Sequence, residues 1–364
     1  MARATRSQLD QAVRKLEPAV EREFRAAMAR VVNEAVLAQL IRLIEAGNAD
    51  VVADYLGIDR ARFSRLAEAV RGVYVAGAAQ AESEMPRLRS DPVRLSGAGF
   101  GPAASSSLQV AFSFDLTNPA AAAWLLEQSS RLITGIVEGQ RILIQNALHN
   151  GMVLGQGPRQ TALDLVGRIG VNGRRSGGLV GLTVDQAQFV ANMRAQLASG
   201  DPAAMRGYFA RELRDKRLDV IVRRAMEAGK PVAAADIDKI AGRYADSLLR
   251  YRGENIARTE TIAAFGAARE EAFRQAIAAG QLAPENVTGT WGATGDGRTR
   301  HTHMAMNGQE RRFGQPFISP SGAQMMFPGD TSLGAGPEET INCRCLKQYR
   351  VNYMAEVNRG RQLR

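Results

Sequence analysis

Residues 255–292, NIARTETIAAFGAAREEAFRQAIAAGQLAPENVTGTWG, contain the change of pattern that decides the fold. Up to about Ala279 the segment reads as helix, with Ile262, Phe265, Phe273 and Ile277 near one face. After Pro284 the pattern changes to short apolar pieces divided by Gly and Pro, which read as short strands and loops. The chain is therefore predicted to be mainly α, with a small α+β C-terminal unit.

Working back from this boundary, the same helix extends upstream to about Ala234, and residues 203–228 also look helical. Thr183-Val184-Asp185-Gln186 resembles a capping box. The glycines between Gly173 and Gly178 lack the Lys-Ser/Thr ending of a phosphate-binding loop and read as a turn. One helix follows Pro158. Asn118-Pro119 opens another of about 30 residues, through Trp124, Leu132, Ile136 and Leu143, which stops at Asn150-Gly151. His149, near its end, suits the helix dipole. Leu108, Val110, Phe112 and Phe114 alternate as a short strand should. Pro86, Pro92, Pro102 and Ser105-Ser106-Ser107 mark residues 86–107 as a linker. Residues 6–46 carry one apolar stripe (Leu9, Val13, Leu16, Val20, Phe24, Met28), which Pro18 is expected to kink or restart; helical pattern then continues to about Met85. The resulting partition is serial. An N-terminal helical domain covers 1–95, a linker and short strand 96–117, a long-helix region 118–285, the small α+β unit 286–347 and a basic tail 348–364.

At 364 residues the chain is long for one domain and can bury a sizeable core. Its net charge is +10, unevenly placed. Residues 1–85 hold twelve basic and twelve acidic side chains, whereas the last 21 residues hold six basic groups against Glu356 alone. That excess predicts contact with nucleic acid or an acidic protein face. Arg298, Arg300, Arg344, Lys347, Arg359, Arg361 and Arg364 are the candidate phosphate contacts, non-specific because no reader motif accompanies them. Lysine occurs only five times, so the basic surface is mostly guanidinium, which suits phosphate. No apolar run is long enough to span a membrane, and MARATRSQLDQAV lacks the apolar core of a secretory signal.

Chemistry-bearing residues collect between Trp291 and Cys345. Both cysteines of the chain and two of its three histidines lie there. Cys343 and Cys345 are two apart, so in an extended segment both sulfurs face one side. Thiolates with an imidazole suit zinc, and His303 is the natural third ligand, with His301 or Asp296 as a fourth. A pair of half-buried thiols beside a hydrogen-bonded His is the alternative. Arg258-Thr259-Glu260, mid-helix, reads as a polar contact tying that helix to the C-terminal piece. Nothing marks a nucleophile other than Cys343 beside His303, and no catalytic set is expected.

Residues 108–347 resemble the phage Mu F-like minor head proteins, the head morphogenesis proteins of tailed phages. The likeness is carried by Arg258-Thr259, Trp291, Asp296, Arg298, Arg300, His303, Gly308 and the closing Asn342-Cys343-Arg344-Cys345. His301 stands where relatives have proline or another residue, so only His303 is carried over. The resemblance implies a low-copy, structural component of the virion, made in the host cytoplasm and placed inside the capsid near the portal. Its implied partners are the portal protein, capsid or scaffold proteins and double-stranded DNA, with no membrane; some members influence DNA ejection. The rival expectation is an enzyme or toxin-associated module with a zinc site at His303, Cys343 and Cys345.

Overall fold

The structure, a computed structural model, describes residues 4–85, 88–89, 109–110 and 112–362. The first helices are α1 (Arg6–Glu34), α2 (Leu37–Glu45), α3 (Ala49–Tyr55) and α4 (Ser64–Glu84). Strands β1 (Leu88–Arg89) and β2 (Gln109–Val110) lead to α5 (Pro119–Val153) and α6 (Pro158–Val166). A hairpin of β3 (Arg168–Ile169) and β4 (Arg175–Ser176) precedes α7 (Val184–Ala198), α8 (Pro202–Phe209), α9 (Asp219–Glu227) and α10 (Ala234–Ala278). The C-terminal elements are β5 (Val287–Gly292), α11 (His301–Met306), β6 (Glu310–Arg312), β7 (Phe317–Ile318), β8 (Gln324–Met325), α12 (Pro337–Thr340), β9 (Leu346–Val351) and α13 (Tyr353–Gln362). The protein is mainly α, with small antiparallel sheets concentrated near the C-terminus.

Local chemistry explains most boundaries. Asn118 Oδ1 accepts the Ala120 N–H at 2.9 Å, capping α5. Thr183 and Gln186 form a reciprocal capping box on α7. The helical reading of 203–228 divides in two, because Asp215 accepts the Arg217 N–H and starts a 3-10 turn before α9. Of the segment Gly173 to Gly178, Gly173 and Arg174 lie in the β3–β4 turn, Arg175 and Ser176 form β4, and Gly177 and Gly178 follow it. Pro18 does not interrupt α1. Its missing hydrogen bond costs about 3 kcal/mol, against complete burial of Leu9, Val20, Phe24 and Met28, each contributing roughly 1.5–3 kcal/mol. The short strand expected over 108–114 is confined to Gln109–Val110 among the described residues; Leu108 and linker residues 90–107 lie outside them.

The chain divides into two compact units, both assembled from separated stretches rather than serially. One comprises Ala19–Ala69 and Glu127–Ile256. Phe24, Phe63, Met193 and Tyr208 are fully buried in it. A cavity of about 690 Å³ lies among α5, α6, α7 and the start of α10. At its charged end Arg194 contacts Asp238 at 2.6 Å and Asp164 at 3.1 Å, and Arg168 contacts Asp238 at 2.6 Å, so those charges are balanced.

The other unit comprises Met1–Pro18, Val70–Leu126 and Ala257–Arg364. Its three-stranded antiparallel sheet has the order β6-β5-β9, with Gly289 opposite Tyr349 and Trp291 opposite Lys347. The end of α10 covers this sheet: Phe273 stacks on Tyr349 with ring centroids 4.2 Å apart, and Ala272, Ala276, Val287 and Val351 complete that core. Gly77 of α4 lets this helix approach α10 closely, since a Cβ there would sit 2.7 Å from the Phe265 carbonyl oxygen.

Residues read as a basic tail are the rest of β9 and α13. Lys347 is 3% exposed, so it does not meet phosphate in this fold. Its ammonium contacts the Glu270 carboxylate, donates to the Met326 carbonyl at 3.0 Å and lies over the Tyr349 ring at 4.7 Å. Burial pushes its pKa down, with Glu270 opposing. Gly289 makes room for the lysine stem, because a Cβ there would lie 2.4 Å from Lys347 Cε. Arg359 is held by Glu356 at 2.8 Å and donates to the Gly280 carbonyl. The counted excess of charge is thus partly internal.

Candidate metal centre

Cys343 and Cys345 sit between α12 and β9, and both are at most 2% exposed. The turn that aims them is built on Asn342, whose φ of 57° is tolerated better by Asn than by most side chains. Thr259 Oγ1 accepts the Asn342 N–H at 2.8 Å, and Arg258 donates to Asn342 Oδ1 at 2.5 Å. The Arg-Thr pair of α10 therefore ties this helix to the cysteine segment.

His303 comes from the short helix α11. The loop before it is fixed by Asp296, which accepts from the Arg298 N–H and the Thr299 hydroxyl, both at 3.1 Å. Arg344 grips the same carboxylate with two bonds of 2.5 and 2.6 Å. That hydrogen bonding holds the Asp296 pKa well below the usual carboxylate range. Arg300 donates to the Ile341 carbonyl. Asp296, Arg300 and Arg344 thus fasten α11 to the cysteine segment. Asp296 is thereby committed to Arg344 and His301 is exposed, so neither completes the cluster.

The His303 Nδ1 atom lies 3.6 Å from Cys343 Sγ and 3.4 Å from Cys345 Sγ. A tetrahedral zinc with Zn–S near 2.3 Å and Zn–N near 2.0 Å sets sulfur and nitrogen about 3.5 Å apart. The three side chains match that spacing, and they form a three-residue metal-ligand cluster. On the other side of the ring, Nε2 is 2.8 Å from Glu339 Oε2. Glu339 is 2% exposed and accepts from Ser319 at 3.1 Å, Ser321 at 2.6 Å and Thr302 at 3.1 Å. The Trp291 ring meets the imidazole edge-on, centroids 5.3 Å apart.

Electrostatics favour ionised groups here. The Cys345 hydrogen bond lowers the Cys343 pKa against the cost of burial, and His303 lowers it further. Cys345 moves the opposite way, raised by its bond to Cys343 and by burial. Burial opposes charge on His303, yet the Cys343 hydrogen bond, its thiolate and Glu339 together raise the pKa. Burial would raise Glu339, but Ser321, Ser319, His303 and Thr302 hold it down. A thiolate beside an imidazolium, backed by a carboxylate, is a donor set that can exchange protons for a soft divalent cation.

Residues 216–347 match the family model described as Phage Mu protein F like protein. The chain carries a phage Mu F-like domain. The model's description is that of the phage Mu F-like head morphogenesis proteins which the sequence resembles. The matched stretch contains α9, α10 and all three residues of the metal-ligand cluster. No curated protein and no solved structure matches the chain. Among the described residues no helix is long and apolar enough to cross a membrane.

The expected phosphate contacts differ in exposure. Arg298 is exposed, Arg300 and Arg344 are engaged as above, and Lys347 is buried. The Arg361 side chain and Arg364 lie outside the described residues. Sequence reasoning missed Glu339. Its signal is faint: a Pro-Glu-Glu turn looks solvated, and its hydroxyl partners lie in other segments.

Proposed function

We propose that this protein is a structural component of the head of a tailed phage or phage-like particle, docked on the portal from inside the capsid. The observation that carries this reading is the Mu F-like match over residues 216–347. Capsid or scaffold proteins are further neighbours in this reading. Packaged double-stranded DNA is contacted without sequence preference, through exposed Arg298 and through Arg361 and Arg364. The test is co-purification with the neighbouring portal protein, followed by particle mass spectrometry. Association at defined stoichiometry is expected; no association by either method would refute the reading.

Zinc fits the cluster of His303, Cys343 and Cys345, because the donors are of the right chemistry and spacing. When bound, the ion would supply a cross-link between α11 and the segment leading into β9, ordering a unit with little regular structure. An enzymatic or toxin-associated role is the rival, since three protein ligands are also the usual number in catalytic zinc sites. Burial of all three side chains to 2% exposure or less favours the structural role.

A further inference from the structure

Among the buried nitrogens of this unit that lack a partner at hydrogen-bonding geometry are Trp291 Nε1, Arg6 Nε, Arg6 Nη2 and His303 Nε2, the last 2.8 Å from Glu339 Oε2 but poorly aligned with it. Trp291 is completely buried. Trp291 and Arg6 both lie beside the Cys345 segment: Trp291 packs in one cluster with Cys343 and Cys345, and Arg6 lies against Gly292, whose strand partner is Leu346. A thiol is a weak acceptor, while a thiolate or a metal-bound thiolate takes N–H donors readily. A metal-bound thiolate at Cys345 would give the buried Trp291 and Arg6 donors an acceptor.

Arg6 reaches this place because the chain makes room for it. Gly292, the last residue of β5, pairs with Leu346 next to Cys345. A Cβ at Gly292 would stand 3.2 Å from Arg6 Cδ. The segment around Arg6 is anchored independently: Gln348 of β9 donates to the Ala4 carbonyl at 3.2 Å, and Leu9 is fully buried. On the opposite side of the cluster, Glu339 contacts the His303 nitrogen that faces away from the sulfurs. Metal-binding histidines are usually oriented in this way, by a carboxylate on the free ring nitrogen.

Charge counting joins the two sides. A divalent ion with two thiolates and a neutral imidazole is neutral, and buried Glu339 adds one negative charge. Arg6 supplies the compensating positive charge. We propose that Arg6, Trp291 and Glu339 form the outer sphere of a zinc ion held by His303, Cys343 and Cys345, so that the first turn of the chain belongs to a metal centre near its end. This rests on the zinc reading above.

The test uses the full chain. Zinc content is measured by elemental analysis, and affinity by competition with a chromophoric chelator. Wild type is expected to hold about one zinc per chain. Glu339→Gln is expected to weaken binding by about 10–100-fold, and Arg6→Gln and Trp291→Phe by about 10-fold each. Arg14→Gln, at an exposed position of the same helix, should bind like wild type. Arg6→Lys keeps the charge and should recover most of the Arg6→Gln loss, which separates charge balance from general damage. With cobalt in place of zinc, Arg6→Gln and Trp291→Phe should shift the thiolate-to-metal absorption band, because they remove the donors proposed for the sulfur. Should wild type bind zinc while all three outer variants match Arg14→Gln, the outer-sphere assignment is overturned and the zinc reading stands. Should wild type bind neither zinc nor cobalt, both are overturned.

Discussion

Replacing Lys347 by Met tests whether this charge is structural or faces a nucleic acid. Met keeps most of the apolar stem that packs near Phe313, Phe317 and Tyr349. It removes the ammonium, leaving Glu270 buried with Tyr349 as its donor; Glu270 Oε1 has no partner already. The two side chains are only 3% and 2% exposed, so solvent gives little relief. Breaking such a pair from one side costs about 3–5 kcal/mol. Glu270→Gln alone leaves the ammonium with the Met326 carbonyl and should also destabilise the protein. The double variant removes both charges and should recover all but about 1 kcal/mol of the Lys347→Met loss, giving a coupling energy of at least about 2–4 kcal/mol. Both tryptophans, Trp124 and Trp291, belong to the unit that contains this pair, so tryptophan emission during urea unfolding reports on it selectively. A Lys347→Met cost under about 1 kcal/mol, with additive single variants, would refute the buried pair. If the variant instead lowered the salt dependence of DNA binding by about 0.9 in log–log slope, Lys347 would be a phosphate contact after all.

Two further outcomes follow from the cysteine segment. Asn342→Gly keeps the positive φ but loses the bond from Arg258, whereas Asn342→Ala loses both; urea unfolding should rank Ala below Gly by about 1 kcal/mol, and the reverse order would show that backbone strain is not the issue. The Asp296 pKa is lowered on folding by Arg344, so its contribution is present above the ordinary Asp value of about 3.9 and disappears as pH falls through the folded value. Asp296→Asn should therefore flatten the acid limb of stability measured by thermal melting; an unchanged limb would count against the pairing.

Helix content and several boundaries were legible because they depend on local chemistry. Asn118-Pro119, the Thr183 capping box and the apolar face of α10 each state their role within a few residues. Pro18 does not restart the helix, since a local penalty cannot be weighed without knowing what the rest of α1 buries. The exposure of the basic C-terminal residues is hard to read for a related reason. Counting charges treats each as solvated, while the alternation of Lys347, Tyr349 and Val351 buries one side of β9. Gly289 and Gly292 were the available clue, because glycines inside a strand mark a close approach, by Lys347 in one case and Arg6 in the other. The meeting of His303 with both cysteines was readable from residue types and spacing. Glu339 was not, since its role depends on Ser319, Ser321 and Thr302 arriving from other segments.

The contact between Ala4 and Gln348 spans nearly the whole chain, and this sets the order of events during synthesis. The last stretch of the other unit ends at Ile256, so a ribosome has made all of that unit's residues before β9 exists. At ordinary elongation rates the gap until Val351 is added is roughly 5–20 s. Throughout that interval the first turn of α1, and from their own synthesis onward β5 and His303, wait for a strand that has not been translated. Ribosomes halted before residue 346 would leave the β9-facing edge of β5 unpaired, so completion of β9, rather than emergence of the long helices, is the step that protects this unit from aggregation.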